Sequence, residues 1–230
     1  MRKRLFVMSV FGFGVLGFMG IISSQVEAAS LEVTNNASGV GNYGLEVTMD
    51  PDPSTFAYVQ QSFAATNAVR VRFQWRPGTV PRWGEGNPTT HGDNPMIGVV
   101  FLGETGFSLS STNRTAGVFL TVREDQWVLL GQCRTNSQVQ FNTEYISLPN
   151  SVTDTNTFLQ LELEIRPSDG GANGVCCLHI EGVGNYCRSD LENDQISHSV
   201  LSSGLTYTKN VTASTDISGT FHIDEFVVSN

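Results

Sequence analysis

Two stretches of the chain alternate strictly between apolar and polar residues. In residues 69–76 the apolar positions are separated by Arg and Gln, and in residues 159–166 Leu and Ile are separated by Gln, Glu and Arg. Because successive side chains of a strand point to opposite faces, each stretch predicts an antiparallel strand with one buried and one solvated face.

Shorter stretches with strand character occur along the rest of the chain, separated by clusters of Gly, Pro, Asn and Ser that are typical of turns. They are residues 31–34, 43–48, 57–63, 96–102, 117–122, 127–132, 175–180, 185–188 and 221–228. No window shows the spacing of an amphipathic helix, which excludes parallel sheets with crossover helices. The eleven segments, without internal repeats or a long linker, predict an all-β, single-domain, two-sheet antiparallel jelly-roll sandwich.

The first 28 residues have the organisation of a cleaved signal peptide. Arg2, Lys3 and Arg4 precede an apolar run over residues 5–22, and small residues at Val26 and Ala28 suit cleavage after Ala28. The alternative is a membrane anchor, but the run is at the lower limit of a bilayer span and contains glycines. We therefore expect residues 1–28 to be a signal peptide and residues 29–230 to be the sandwich domain, secreted, periplasmic or at the cell surface. Only an uncleaved signal segment would associate with a membrane.

The composition and charge of the chain argue against some classes of binding partner. The chain carries 13 Lys and Arg against 22 Asp and Glu, a formal charge of −9. Nucleic-acid binding requires clustered basic residues, which this acidic chain lacks. The sequence also contains no glycine-rich phosphate loop, so we expect neither nucleic acid nor nucleotide as a partner. A hydrophobic fraction of 40% indicates a folded chain and not a disordered one.

Four cysteines lie in the predicted exported part, at Cys133, Cys176, Cys177 and Cys187. An even number in an exported protein favours two disulfides. Cys176 and Cys177 are adjacent, so on a strand they point to opposite faces and need different partners. We expect one of them to bond Cys187 across a local hairpin and the other to reach Cys133. The alternative is a zinc site, although the usual paired ligand spacing is absent.

Several segments together resemble secreted bacterial proteins of the concanavalin A-like lectin/glucanase superfamily. They are residues 31–35, 41–47, 57–59, 68–73 and 223–228. The resemblance implies two curved antiparallel sheets with a concave face, in a superfamily of sugar-binding modules, glucanases and adhesion domains. Fold similarity does not by itself carry function.

The chain lacks the superfamily's glucanase pattern of Glu, an apolar residue, Asp, two spacers and Glu. Its nearest equivalents are Glu162 and Glu164, two carboxylates on one strand face. A retaining glycosidase places its carboxyl groups about 5–5.5 Å apart, so these are the candidate catalytic residues. The alternative is a solvated strand face on which they pair with Arg70, Arg72 or Arg166.

The longest segment without strand pattern is residues 77–95, and it contains the candidate ligand-binding residues Trp83, Glu85, His91 and Asp93. Long loops at the rim of a rigid sandwich commonly carry binding sites. Trp83 is suited to stack on a sugar ring, with the carboxylates binding its hydroxyls; His91 and Asp93 are alternatively cation ligands. The remaining alternative is a loop that is only packed or disordered.

We expect no cofactor other than a structural calcium ion, which the resemblance suggests. Related sugar-binding sandwiches tie their first and last strands together through calcium, and here Glu32 and Asp224 are the candidate ligands. Calcium needs several oxygen ligands, so a surface carboxylate paired with arginine is the alternative. The sequence favours a non-enzymatic carbohydrate-binding domain, with a structural or adhesive protein that contacts other proteins as the alternative and a polysaccharide hydrolase as the third.

Overall fold

The computed structural model of the protein describes residues 29–34, 37–38, 44–49, 56–80, 95–104, 114–123, 126–153, 157–209 and 219–229. These residues form fourteen strands and a four-residue helix. The strands are β1 (Ser30–Thr34), β2 (Gly44–Met49), β3 (Ala57–Thr66), β4 (Val69–Arg76), β5 (Met96–Gly103), β6 (Arg114–Arg123), β7 (Gln126–Arg134), β8 (Gln140–Asn142), β9 (Ile146–Ser147), β10 (Leu159–Arg166), β11 (Gly174–Ile180), β12 (Gly184–Leu191), β13 (His198–Lys209) and β14 (Gly219–Ser229), and the helix is α1 (Asn150–Thr153).

The strands build two sheets of seven strands each. The first sheet has the order β1-β2-β14-β4-β10-β11-β12. The second has the order β3-β13-β5-β6-β7-β8, and β9 also pairs with β7. The strand pairs of both sheets are antiparallel. This confirms the predicted all-β, two-sheet antiparallel architecture.

The alternating patterns divide the first sheet into an inner and an outer face. On β4 the apolar positions are buried, whereas Arg70 and Arg72 are exposed. The same division holds on β10, where Leu161 and Leu163 are fully buried. The inner faces of the two sheets enclose one large core, in which Trp75 of β4 meets Trp127 of β7 edge to face. The outer face of the first sheet is thereby left mainly to polar side chains.

All eleven predicted strands are present, but β8, β9 and β13 were not predicted. The most consequential omission is β13, which lies between β3 and β5 inside the second sheet. Its serines read as a turn in the sequence, yet Ser202 is fully buried and accepts a hydrogen bond from Gln60 at 3.2 Å. Thr206 is also buried and donates to the carbonyl of Gly98 at 2.9 Å. A buried polar side chain with such a partner is tolerated in a sheet, and local sequence does not reveal that partner.

Both expected disulfides are formed. Cys176 points inward and bonds Cys133 of the facing sheet, with a Cα–Cα distance of 6.2 Å. Cys177 points to the opposite face and bonds Cys187 across the β11–β12 hairpin. This confirms the expected division of the adjacent cysteines, and the two bridges fit an extracellular or periplasmic compartment. Within the part of the chain that the structure describes, no helix has the length and apolar character to cross a membrane.

A buried histidine at the start of β13 predicts pH-dependent stability. His198 is 1% exposed, its Nδ1 lies 2.8 Å from the Thr115 hydroxyl, and its Nε2 has no hydrogen-bond partner among the described residues. Burial lowers the pKa of His198 from 6.5 to about 4. The unfolded chain therefore takes up this proton first, and the stabilisation present above pH 6.5 is lost as the pH falls towards 4.

We expect this histidine to remove about 3 kcal/mol from the free energy of unfolding over that pH interval. Urea unfolding followed by circular dichroism at several pH values would measure the loss. The control variant His198→Gln keeps a polar group near Thr115 but does not titrate. Between pH 6.5 and 4 its free energy of unfolding should fall by about 3 kcal/mol less than that of the wild type. Equal pH slopes in the wild type and the variant would contradict the prediction.

Candidate functional site

The outer face of the first sheet carries two parallel rows of polar and sulfur-containing side chains, which we call the polar ladder. The rows follow from the strand register, because residues directly opposite each other in antiparallel strands share a face. One row is Arg70, Glu164, Cys177 and Cys187, and the next is Arg72, Glu162, His179 and Asn185. The ladder therefore crosses β4, β10, β11 and β12.

Arg70 links the two candidate catalytic carboxylates. Its Nε lies 3.2 Å from Glu162 Oε1, and its Nη2 donates to Glu164 Oε1 at 2.9 Å. Arg166 also approaches Glu164 Oε1, at 3.6 Å. The structure thus brings Glu162 and Glu164 together on one face, in the cross-strand ion pairs that the sequence offered as an alternative to catalysis.

The environment of Glu164 favours its ionised form. Partial burial acts to raise its pKa, but hydrogen bonds from Arg70 and His179 and the charges of Arg70 and Arg166 outweigh it and lower the pKa below its usual value. A carboxyl group that delivers a proton near neutral pH needs a raised pKa instead. Glu164 is therefore suited to accept hydrogen bonds and to hold its neighbours in place.

His179 is fixed from both sides of its ring. Nδ1 lies 2.9 Å from Asn185 Oδ1, and Nε2 lies 3.1 Å from Glu164 Oε2. An ionised carboxylate only accepts hydrogen bonds, so Nε2 carries a proton and donates a hydrogen bond to Glu164 Oε2. The Asn185 amide matches Nδ1 either as acceptor or, if turned over, as donor. The ring orientation is thus set by groups on both neighbouring strands.

A depression of about 540 Å³ lies at one end of the polar ladder. Gln160, Glu162, His179 and Asn185 line it together with the β11–β12 turn, residues 180–184. In this turn Val183 donates its backbone N–H to the Ile180 carbonyl, and Gly182 has a φ of 72°, a conformation that glycine adopts without strain. The turn forms a wall beside side chains that can donate or accept hydrogen bonds.

A second polar cluster on the same face was not found from the sequence. Nε of Arg76 donates to Nδ1 of His222 at 3.3 Å, so Nε2 of His222 donates to Glu46, 3.2 Å away. Burial and the charge of Arg76 lower the pKa of His222, against the opposing effect of Glu46. Strand alternation indicated the face, but the cluster depends on β14 lying between β2 and β4, which the spacing of the histidines does not indicate.

The other sequence-predicted residues have different outcomes. Trp83, Glu85, His91 and Asp93 lie outside the described residues. Glu32 is opposite Glu46 on β2, whereas Asp224 is opposite Gln74 on β4. Strand β2 lies between the strands of Glu32 and Asp224, so the structure does not bring these two carboxylates together. Asp224 Oδ1 instead accepts the backbone N–H of Glu225 at 2.8 Å. The calcium ion itself stays a prediction.

Cys177 is a residue of a type that commonly binds metal ions, but its sulfur cannot do so while it is bonded to Cys187. Ligand atoms of Glu164, Cys177 and His179 all lie within 4.8 Å of one another. The Cys177–Cys187 disulfide is called the outer bridge, and the Cys133–Cys176 disulfide the inner bridge. Because the sulfur of Cys177 is bonded in the outer bridge, only His179 and Glu164 of these three residues have ligand atoms that are available to a metal. Sequence reasoning considered zinc only with four cysteines and did not foresee this mixed set.

Comparison with known proteins gives similarity at the level of fold. No family model and no curated protein matches the sequence. An endo-β-1,4-glucuronan lyase from the fungus Trichoderma reesei is similar in structure, with a TM-score of 0.58 and 11% identity over 91% of this chain and 90% of that one. The binding domain of botulinum neurotoxin serotype G has a TM-score of 0.53 and 11% identity over 90% of this chain.

The binding domain of Paraclostridial Mosquitocidal Protein 1 is a further similar structure, with a TM-score of 0.50, 11% identity and 90% of this chain covered. This chain spans 44% of the mosquitocidal structure and 43% of the neurotoxin structure. At such identity the likeness concerns the fold alone. The protein thus shares a β-sandwich fold with a polysaccharide lyase and with toxin binding domains, in agreement with the lectin-like fold indicated by its sequence.

Proposed function

We propose that this is an exported carbohydrate-binding protein and that the depression on the polar ladder holds the hydroxyl groups of a neutral sugar chain. The observation that carries the proposal is the set of side chains lining the depression. Gln160, Asn185, Glu162 and His179 present amide, carboxylate and imidazole groups, which suit hydroxyls that both donate and accept hydrogen bonds. A volume of about 540 Å³ is within the range of small-ligand sites.

Preorganisation supports the same proposal. Glu162 is held by Arg70, and His179 is held between Glu164 and Asn185. These groups lie on paired strands, so binding a sugar would cost little additional ordering of side chains. Carbohydrate is therefore favoured over a protein partner, for which a small polar depression offers little contact area.

Charge favours a neutral sugar over an anionic one. The chain has a formal charge of −9, and the depression is lined by Glu162 and the exposed Glu181. An anionic polysaccharide would be repelled by both the chain and the depression. Trp83 remains the residue proposed to stack on a sugar ring.

A glycan array followed by titration calorimetry on the oxidised protein would test the proposal. We expect Gln160→Ala to weaken binding about 3–10-fold and Glu162→Gln to weaken it about tenfold or more, because a hydrogen bond contributes about 0.5–1.5 kcal/mol and one to a charged group about 1.5–3 kcal/mol. Gln140→Ala, at an exposed glutamine of β8 in the other sheet, is the matched control and should bind like the wild type.

Two results would overturn this assignment. The first is a blank array with folded protein, which would remove carbohydrate binding altogether. The second is full binding by both depression variants, which would move the site elsewhere; loss of binding in Trp83→Ala would then place it in the loop around that residue.

A further inference from the structure

The outer disulfide joins two strands of the polar ladder beside a histidine and a carboxylate. Cys177 is directly opposite Glu164 on one side and Cys187 on the other, and His179 is two residues further along the same strand face. Thiolate sulfur, imidazole nitrogen and carboxylate oxygen are the donor atoms that zinc binds in proteins. The disulfide therefore holds Cys177, which lies within 4.8 Å of the ligand atoms of Glu164 and His179, together with the sulfur of Cys187.

Glu164 and His179, the two ligands outside the disulfide, already have a spacing suited to a metal ion. Glu164 Oε2 lies 3.1 Å from His179 Nε2, and donor atoms around a tetrahedral zinc ion are separated by roughly 3.3–3.7 Å for the usual metal–ligand distances. A zinc ion would take the place of the proton that these two atoms share. Glu164 need not give up its ion pairs, because Arg70 and Arg166 contact its other oxygen, Oε1.

Asn185 supplies the outer support that metal-binding histidines usually have. Such a histidine donates its second ring N–H to a carbonyl or carboxylate, which fixes the tautomer and the ring orientation. In this structure Nδ1 of His179 lies 2.9 Å from Asn185 Oδ1. Metal binding requires the proton of the neutral ring to move from Nε2 to Nδ1, which then donates a hydrogen bond to Asn185 Oδ1. Nε2, which points at Glu164, is thereby free to bind the metal.

The two bridges differ in their access to a reductant. Cys187 is exposed, whereas Cys177 is 1% exposed. Both sulfurs of the inner bridge belong to fully covered residues, since Cys133 is 1% and Cys176 is 0% exposed. Thiol–disulfide exchange requires an accessible sulfur, so a small dithiol would attack Cys187 and release Cys177, while the inner bridge stays closed.

We propose that reduction of the Cys177–Cys187 disulfide converts the polar ladder into a zinc site formed by Cys177, Cys187, His179 and Glu164. One dithiol molecule supplies two electrons and two protons, becomes a cyclic disulfide and leaves two cysteine thiols. Zn²⁺ then displaces the two thiol protons and binds two thiolates, the neutral imidazole and one carboxylate oxygen. The excess negative charge of this ligand set is compensated by the adjacent guanidinium groups of Arg70 and Arg166.

The test compares oxidised and dithiol-reduced protein, with the reductant removed before Zn²⁺ is titrated against a chromophoric chelator. We expect one zinc ion per reduced chain and none per oxidised chain. Co²⁺ in place of Zn²⁺ should give the intense sulfur-to-metal absorption that only thiolate ligands produce. Asn185→Ala should weaken zinc binding about 10–100-fold through loss of the outer support, and His179→Gln should weaken it at least as much.

Control variants keep the result interpretable. His222→Gln changes a histidine outside the set and should leave zinc binding unchanged. Cys187→Ser frees the thiol of Cys177 without any reductant and leaves the inner bridge closed. Because it offers one thiolate and not two, it should bind zinc more weakly than the reduced wild type. Its Co²⁺ complex should still show sulfur-to-metal absorption. This variant tests the proposal even if the reduced wild type loses its fold.

Three outcomes would overturn the proposal. One is a folded, reduced protein that takes up no zinc, and another is zinc uptake unaffected by His179→Gln. The third is zinc binding that disappears in a Cys133→Ala/Cys176→Ala variant that still folds, because the ligands would then be the inner cysteines.

Discussion

Replacing Trp75 by alanine is expected to lower the free energy of unfolding by about 3–5 kcal/mol, the usual cost of truncating a buried aromatic residue. Trp75 is fully buried, and its ring meets that of Trp127 edge to face with centroids 6.1 Å apart. Its strand neighbours, Leu159 and Ile223, are also buried. Since domains of this kind have a total stability of about 5–15 kcal/mol, the variant would be close to unfolding.

The measurement is equilibrium urea unfolding followed by far-ultraviolet circular dichroism. Trp75→Phe is the informative control, because it keeps an aromatic ring and removes an indole N–H for which the described residues provide no hydrogen-bond acceptor. It should therefore cost clearly less than alanine. Val227→Ala, on an exposed valine, should change stability by no more than about 0.5 kcal/mol. A loss below 1 kcal/mol in Trp75→Ala would show that the two tryptophans do not form the centre of the core.

Removing the inner disulfide should cost more than removing the outer one. The Cys133–Cys176 bridge joins residues 43 positions apart, and the Cys177–Cys187 bridge joins residues 10 positions apart. Closure entropy of the unfolded chain then gives about 4 kcal/mol for the inner bridge and about 3 kcal/mol for the outer one. The inner bridge also connects the two sheets and lies in the core, so its removal leaves a poorly filled space.

The double variants Cys133→Ala/Cys176→Ala and Cys177→Ala/Cys187→Ala allow a direct comparison by thermal and urea unfolding. The inner variant should have the lower melting temperature. If the outer variant were the less stable one, the β11–β12 hairpin would limit the stability of the protein, and the covalent connection between the sheets would be of secondary importance.

Strand positions in this protein were largely predictable from local sequence. Alternation on β4 and β10 identified the inner residues and the outer ones, because a side-chain period of two is a property of the extended backbone itself. β13 was missed for an equally physical reason. Its Ser and Gly residues have the local preferences of a turn. The strand is stabilised by pairing with β3 and β5 and by side-chain hydrogen bonds with Gln60 and the Gly98 carbonyl, more than 100 positions away.

The candidate site was predictable only in part. Glu162 and Glu164 were recognised as neighbours on one face, since they belong to one strand. Their ion pairs with Arg70 were offered only as one alternative, and the contact of Glu164 with His179 was not predicted. Alternation determines the face of a residue but not the strand beside it. Arg76 and His222 illustrate this limit, because they are 146 positions apart in sequence but Nε of Arg76 lies 3.3 Å from Nδ1 of His222.

The sequence by itself determined an all-β chain, the separation of polar and apolar faces, and the opposite directions of Cys176 and Cys177, because each depends on backbone geometry within a few residues. Tertiary structure alone decided which strands became neighbours. The polar ladder, the depression beside it and the donor set around Cys177 depend on β4, β10, β11 and β12 lying side by side. That order results from long-range burial of apolar surface, which no local pattern encodes.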